Sequence, residues 1–242
     1  GNGDVTVAMV VITIIGELAA EEGGLIALLA PQVINEGVIR AKKGTIVLAA
    51  GEAITLTNLA SNVTVIVEKP ALDALIKNKH LVSAPDGRVF MSTRAAHQLA
   101  RAVISNTGTI EATGARRVGD VIRLEGNTII NEGVITASNT ANNTQNITST
   151  QNTTNNRGSD ISITAAKDVT NTGKIESSGD TGGKIAITAG ETVTNEGQIE
   201  ARGERLAGGE ITIDAKNVKN IATIDASGKT QGGKVTITAT DT

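Results

Sequence analysis

Residues 171–201 read NTGKIESSGDTGGKIAITAGETVTNEGQIEA, and two short units alternate within this stretch. The first unit has the form Asn-x-Gly-x-Ile-x-Ala and recurs closely at Asn35, Asn106, Asn131 and Asn195, and more loosely at Asn171 and Asn220. The second unit is a small-residue turn followed by an alternating strand, as after Gly44, Gly119, Gly183, Gly209 and Gly233. Such self-similarity indicates a repeat architecture.

The spacing of the repeats indicates which architecture this is. Asn106 and Asn131 lie 25 residues apart, and Asn171, Asn195 and Asn220 follow one another at intervals of 24 and 25. This period, without 3.6-residue periodicity, is typical of the coils of a β-solenoid. The 242 residues include no Trp, Tyr or Cys and a single Phe, so the core must be narrow and aliphatic. The sequence therefore predicts an all-β fold, a parallel β-helix.

Each coil can be interpreted residue by residue. Ile185 and Ile187 fall on one side of a strand, with small residues on the other. We expect the matching pairs of neighbouring coils to stack on them in register: Ile161/Ile163, Ile211/Ile213 and Val235/Ile237. The Asn-x-Gly corner is interpreted as a turn through left-handed backbone, which Asn and Gly tolerate. Stacked asparagines are expected to hydrogen-bond to one another side chain to side chain.

Three segments break the period. In residues 52–86, Pro70 predicts the start of a short helix that would place Leu72, Leu75 and Ile76 on one face. Residues 92–104 are interpreted as a second short helix outside the solenoid. Residues 138–156 form an uncharged tract of Asn, Thr, Gln and Ser that can bury little apolar surface, which predicts an extruded loop.

These features predict three regions. Residues 1–137 form a β-helix with extra-helical insertions at 52–86 and 92–104, residues 138–158 form the polar loop, and residues 159–242 form regular shaft repeats. The chain opens at Gly1 in mid-pattern, so we expect it to be a piece of a longer protein.

The sequence holds no recognisable catalytic, metal or cofactor constellation. Its two histidines, His80 and His97, have acids such as Asp73 and Asp86 nearby but no ligand spacing, so both are interpreted as surface residues. The net charge of −3 is spread in mixed sign without a basic stripe, which argues against nucleic-acid binding. The acids that recur once per coil are interpreted as a solvated face: Glu111, Glu176, Glu200 and Asp225.

Two features suit an exported protein. Asn-x-Ser/Thr sequons mark Asn62, Asn142, Asn146 and Asn152 as glycosylation candidates, and three of them lie in the polar tract. The absence of cysteine fits either a cytosolic protein or one that stays unbridged during export. Open strand edges at the solenoid ends predict end-to-end or lateral self-association.

With these units identified, the chain resembles the filamentous haemagglutinin family of exoproteins exported by two-partner secretion. The resemblance rests on the Asn-x-Gly-x-Ile repeats and on two blocks, LIALLAPQVINEGVIRAKKGTIVLAAGEAITL at 25–56 and GRVFMSTRAAHQLARAVISNTGTIEATG at 87–114. It covers most of the chain, but the family's N-terminal Asn-Pro-Asn-Leu and Asn-Pro-Asn-Gly motifs are absent. This segment would therefore be the end of a secretion domain and the first shaft repeats.

The resemblance implies a right-handed parallel β-helix exported through an outer-membrane transporter partner. It further implies a secreted or cell-surface location and adhesion to host cells or other bacteria through surface glycans or proteins. One alternative is the stalk of a contact-dependent growth-inhibition protein that delivers a toxin. Another is a polysaccharide-processing β-helix enzyme.

Overall fold

The computed structural model describes residues 10–59, 62–94, 101–114, 119–139 and 156–240. Within these ranges the chain forms 24 strands and no helix, which confirms the all-β prediction. All strand pairs are parallel except one antiparallel hairpin, and strands from successive repeats stack side by side. This arrangement is consistent with a β-solenoid.

Each coil of the stack contributes one strand to each of three faces, and we number the faces in the order in which the chain visits them. Face 2 is an eight-stranded parallel sheet. Faces 1 and 3 belong to one 14-stranded sheet, because two 12-residue strands, β14 (Asp120–Asn131) and β16 (Asp160–Asn171), cross the corner between them. Their N-terminal halves lie on face 3 and their C-terminal halves on face 1.

The other strands are grouped here by face. Face 1 contains β1 (Val11–Ile14), β4 (Gln32–Asn35), β9 (Asp73–Asn78), β12 (Arg101–Asn106), β19 (Thr192–Asn195) and β22 (Asn217–Asn220). Face 2 contains β2 (Glu17–Ala19), β5 (Val38–Arg40), β10 (Leu81–Ser83), β13 (Thr109–Glu111), β15 (Val134–Thr136), β17 (Lys174–Glu176), β20 (Gln198–Glu200) and β23 (Thr223–Asp225). Face 3 contains β3 (Leu25–Ala30), β6 (Thr45–Ala50), β11 (Arg88–Ser92), β18 (Lys184–Ala189), β21 (Glu210–Ala215) and β24 (Lys234–Ala239). The hairpin strands are β7 (Ala53–Leu59) and β8 (Asn62–Lys69).

The core consists of aliphatic rows that run along the axis. On face 3, Ile161 and Ile163 pair in register with Ile185 and Ile187, and the same register continues through Ile211/Ile213 to Val235/Ile237, as predicted. Face 2 contributes one inward residue per coil, as in the step from Ile175 to Ile199. Most of these side chains are completely buried, so the narrow aliphatic core is confirmed.

A ladder of asparagines lies beside the aliphatic rows of face 1. The Nδ2 of each asparagine donates to the Oδ1 of the next at 2.7–2.8 Å, which confirms the predicted side-chain bonding. Each Nδ2 up to that of Asn195 also donates to a backbone carbonyl in the next coil, so the buried amides are satisfied. The ladder comprises Asn35, Asn78, Asn106, Asn131, Asn171, Asn195 and Asn220.

The prediction that the Asn-x-Gly corner turns through left-handed backbone is wrong. Among the described residues, left-handed φ angles occur only at Gly23, Lys43, Asp86, Gly114 and Gly119, none of which is a corner asparagine or glycine. The corner glycines are needed for space instead. A β-carbon at any of the five would lie 2.0–2.1 Å from a carbonyl oxygen of the preceding coil: Gly37, Gly108, Gly133, Gly173 and Gly197.

The predicted helix after Pro70 is also wrong. Residues 53–59 and 62–69 form the antiparallel hairpin, and Asp73–Asn78 is a strand of face 1 whose Ala74 and Ile76 point into the core. Leu72, Leu75 and Ile76 have helical spacing. The segment nevertheless forms strand β9, in which every second residue is buried, because β4 and β12 pair with it on both sides. In the second predicted helix, residues 95–100 lie outside the described residues, and Arg101–Asn106 is a strand.

Candidate interaction surfaces

A small second core lies on the outer side of face 3, in the first coils. Val47 and Phe90 point away from the solenoid, yet both are buried because the β7–β8 hairpin folds over them. Val63 is buried in the same cluster, and Leu56 and Val65 of the hairpin pack against it. The hairpin is therefore held on the rod by apolar packing.

An aromatic–cation contact lies at one side of this cluster. Phe90 pairs in register with Arg123, whose guanidinium carbon lies 4.5 Å from the ring centroid. Arg123 also lies 3.6 Å from the carboxylate of Glu125. The outer surface of the hairpin itself exposes Ile66 by 52%.

The polar tract is inserted into a corner between faces 2 and 3. Asn139 bridges to Gly179 and Arg157 bridges to Thr181, so residues 140–156 stand where the next coil has Asp180 alone. The two ends are fixed by hydrogen bonds, because Asn139 N donates to Ser178 O at 2.8 Å and Gly158 N donates to Thr181 O at 3.0 Å. Both ends of the insertion are thus hydrogen-bonded to the next coil.

Two of the insertions in this chain carry the sequons. Asn62 is the first residue of β8, in the hairpin. Asn142, Asn146 and Asn152 lie outside the described residues, in the tract whose ends Asn139 and Asn156 are placed on the corner. Glycosylation at all four positions stays a prediction.

The row of acids on face 2 is only partly a solvated face. Glu111 and Thr136 pair in register, followed by Glu176, Glu200 and Asp225. The side chain of Glu200 is only 8% exposed, and its Oε2 lies 3.1 Å from the Lys174 Nζ and 3.8 Å from Arg202.

Lys174 joins the two carboxylates of this row, because its Nζ is also 3.2 Å from Glu176. Burial alone would lower the pKa of Lys174, but hydrogen bonding and charge interactions with Glu200 and Glu176 outweigh it and raise that pKa. The row is therefore a partly buried ion-pair network, and its interpretation as a uniformly solvated face is wrong at Glu200.

An open groove of about 560 Å³ follows the Asn-x-Gly corner over four coils. Its lining includes Gly133, Gly173 and Gly197, which have no side chains, together with Glu132 and Glu196. The groove is a consequence of the glycines that the close coil spacing requires.

A row of charges crosses the start of the face 3 strands. Asp120 pairs with Asp160, and further along the axis Lys184 pairs with Glu210 and Glu210 with Lys234. The Asp120–Asp160 step brings two like charges together. Burial, and secondarily the charge of Asp160, raises the pKa of Asp120, against the opposing effects of Arg123 and Lys184.

No group of three or more metal-binding side chains converges within the described ranges. His80 is exposed at a corner position that glycine occupies in other coils, and its Nδ1 lies 3.1 Å from the carbonyl oxygen of Gly37. His97 lies outside the described residues. Among the described residues, no helix has the length and apolar character needed to cross a membrane.

No protein-family model matches this chain, and a search of curated proteins found no match.

The hairpin and its cluster were missed by the sequence reasoning, although the sequence contains a signal for them. Strands exposed on one side alternate apolar and polar residues, as Ile185 to Thr188 do, whereas β6 reads TIVLAA and β11 reads RVFMS. Apolar residues at the outward positions Val47 and Phe90 indicate that a further layer covers this part of the rod.

Proposed function

We propose that this chain is a segment of a large bacterial filamentous adhesin, secreted or exposed at the cell surface, in which it forms part of a rod-like shaft. The observation that carries the proposal is the stack of eight parallel coils, which resumes on both sides of the insertion at 140–156. A solenoid of this kind grows in length without widening, because each coil contacts only its neighbours. Such a rod suits a protein that must reach a distant surface.

The resemblance to the filamentous haemagglutinin family supplies the rest of the proposal. Export would use an outer-membrane two-partner-secretion transporter, and adhesion would be to glycans or proteins on host cells or other bacteria. We also propose that the coils wind in a right-handed sense. Crossovers between parallel strands of one sheet are right-handed in roughly 98% of cases.

The contact with a receptor is proposed to lie in the polar tract. Residues 140–156 occupy a step that Asp180 alone spans in the next coil, so we expect the coil to close without them. The tract is rich in amide and hydroxyl side chains, which can hydrogen-bond to sugar hydroxyls or to a peptide backbone. Its three sequons would place any glycans on the same segment.

Cell and glycan binding by the purified chain tests this proposal. The key variant replaces residues 140–156 with a single Asp, which copies the corner of the next coil, and the matched control carries the same residues in scrambled order. We expect the intact chain to bind and the shortened variant to lose binding while its thermal unfolding is unchanged. Binding by the scrambled control at the intact level would show that composition suffices.

Absence of binding by the intact chain would contradict the receptor contact in this segment and leave it the role of a shaft. Saturable release of fragments from pectin-like or host glycans would instead favour the polysaccharide-processing alternative.

A further inference from the structure

The β7–β8 hairpin has an unpaired sheet edge in the middle of the described chain. Between the first and last coils, every described solenoid strand pairs on both sides, whereas β7 and β8 pair only with each other. Among the described residues, the backbone of β8 bonds only to β7 and to Glu52, whose N–H donates to the Lys69 carbonyl at 2.9 Å. The outer edge of β8 therefore presents free backbone donors and acceptors.

The register of the hairpin shows which backbone groups lie on this edge. Leu59 pairs with Asn62, and two positions that close in sequence form a hydrogen-bonded pair, as at the ends of a β-turn. Bonded and non-bonded pairs alternate along antiparallel strands, so Thr64 and Ile66 also bond to β7. The backbone N–H and C=O groups that point away from β7 are those of Val63, Val65 and Val67.

Strand β8 lacks the features that usually protect an edge from pairing. Residues 63–67 are all β-branched and uncharged, and no proline or bulge interrupts them. The two charges that follow are held within the hairpin. Glu68 accepts a hydrogen bond from the Thr55 hydroxyl at 2.7 Å, and the Lys69 Nζ lies 2.5 Å from the Glu52 carboxylate. Such an unprotected edge is suited to pairing with another strand.

The hairpin lies across the rod, which restricts what can pair with it. The side chains of Val67 and Ile54 lie against Gly51, just after the end of β6, and Val63 shares a buried cluster with Val47 of that strand. Strand β8 thus runs back along β6, and its free edge points along the rod axis. A second copy would have to bring its own rod into the space of face 3, so a free extended segment fits this edge and a second rod does not.

We propose that the outer edge of β8 binds an extended segment of a partner protein, which adds a third strand to the hairpin. A polypeptide backbone supplies donors and acceptors in the alternation that a strand edge requires, and a glycan does not. Side chains on the rod side of the added strand would lie beside Val63, Val65 and Val67, so apolar β-branched residues at alternate positions suit this side. The contact is separate from the receptor contact proposed for the polar tract.

Binding of a fluorescent peptide to the full 242-residue chain, measured by anisotropy, tests the proposal. The probe alternates valine and threonine between two terminal lysines. The control peptide carries proline at two adjacent central positions, which removes one donor from each of its edges. We expect saturable binding of the probe and none of the control peptide. Hydrogen exchange should show that the bound probe protects the backbone amides of Val63, Val65 and Val67.

A matched pair of variants tests the same edge from the side of the chain. Val65→Pro removes one outward N–H, which an edge strand tolerates. Val65→Ala is the control, because it also alters the side chain but keeps that N–H. Protection of the β7 amides should be unchanged in both variants, since the bonds between β7 and β8 remain. We expect probe binding to weaken roughly tenfold in Val65→Pro, from the lost hydrogen bond, and to stay close to that of the intact chain in Val65→Ala.

Failure of the intact chain to bind the probe would overturn the proposal, as would equal binding by Val65→Pro and Val65→Ala. Protection of the β7 amides in place of those of β8 would also overturn it, because the probe would then occupy the other edge. Sedimentation velocity of the chain alone covers the remaining occupant. Dimers that Val65→Pro abolishes would assign the edge to a second copy of this chain and overturn the proposal as well.

Discussion

Each asparagine from Asn78 to Asn195 donates to the next asparagine of the ladder and accepts from the preceding one, so a single substitution disturbs two steps. Asn171→Ala would leave Asn195 Oδ1 without its donor and remove the 2.8 Å acceptor of Asn131. We expect a loss of roughly 1–3 kcal/mol in the free energy of unfolding, measured by urea denaturation, because buried polar groups lose partners.

Asn220→Ala is the matched control, since Asn220 ends the ladder and is exposed. A loss for Asn220→Ala as large as that for Asn171→Ala would contradict a stabilising role of burial and pairing along the ladder.

The corner glycines allow a second test on single residues. In Gly197→Ala the new β-carbon would lie 2.1 Å from the carbonyl oxygen of Gly173, so the coils must move apart. We expect a destabilisation of roughly 1–3 kcal/mol, as in other overpacked sites. Gly232→Ala, where nothing lies within 4 Å of the added carbon, should be close to neutral in the same denaturation experiment.

A sequence repeat predicts the role of some residues but not of others. The recurrence of asparagine at fixed intervals was enough to predict the ladder, because equal spacing places equal residues above one another. It was not enough to explain the glycines. A left-handed turn and a close carbonyl from the preceding coil demand the same residue, and only the packing of Gly173 against Gly197 distinguishes them.

Among the elements, the β7–β8 hairpin depends on a cluster separate from the main core. Phe90→Ala would remove the largest side chain of that cluster while leaving the inward rows intact. We expect the backbone amides of β7 and β8 alone to lose protection against hydrogen exchange, since local openings follow local packing. Met91→Ala, which alters the neighbouring inward residue, should instead lower the protection of the surrounding coils.

The step between β14 and β16 is expected to respond to pH. The raised pKa of Asp120 in the folded protein means that its ionisation opposes folding. This penalty is fully present above the folded pKa and disappears as the pH falls through the folded pKa to the ordinary value.

Asp120→Asn should therefore increase the free energy of unfolding at pH 7 and have little effect near pH 3, as measured by urea denaturation across this range. Asp160→Asn should lower the pKa of Asp120, by NMR titration, because it removes a neighbouring like charge. A pKa of Asp120 that is unchanged in Asp160→Asn would contradict the assigned contact.

The same elements show where sequence patterns mislead. Leu72, Leu75 and Ile76 have the spacing of a helical face, while Ala74, Ile76 and Asn78 have the alternation of a strand. A short apolar segment fits both patterns, and pairing with β4 and β12 decides between them. Such pairing partners are 28 or more residues away and are invisible to a local pattern.

For the whole molecule, the sequence was sufficient to predict the stack of coils but not to locate a surface that binds a receptor. The coil repeat, the inward isoleucines and the insertion at 138–156 all follow from periodicity. A binding surface on a shaft has no such regularity, and the ion pairs of Glu200 with Lys174 and Arg202 join residues of two adjacent coils. The functional proposal therefore rests on the rod shape and on the family resemblance.

Distances between spin labels along one row test the coil stack most directly. The chain has no cysteine, so labels attach only where cysteine is introduced. Lys77, Ser105, Ile130, Thr170, Thr194 and Lys219 form one outward row of face 1, one residue per coil. Cysteine pairs that join Lys77 to Thr194 and Lys77 to Lys219 should give backbone separations of about 19 and about 24 Å, one strand spacing of about 4.8 Å apart. Separations that do not increase by one strand spacing per coil would contradict the solenoid.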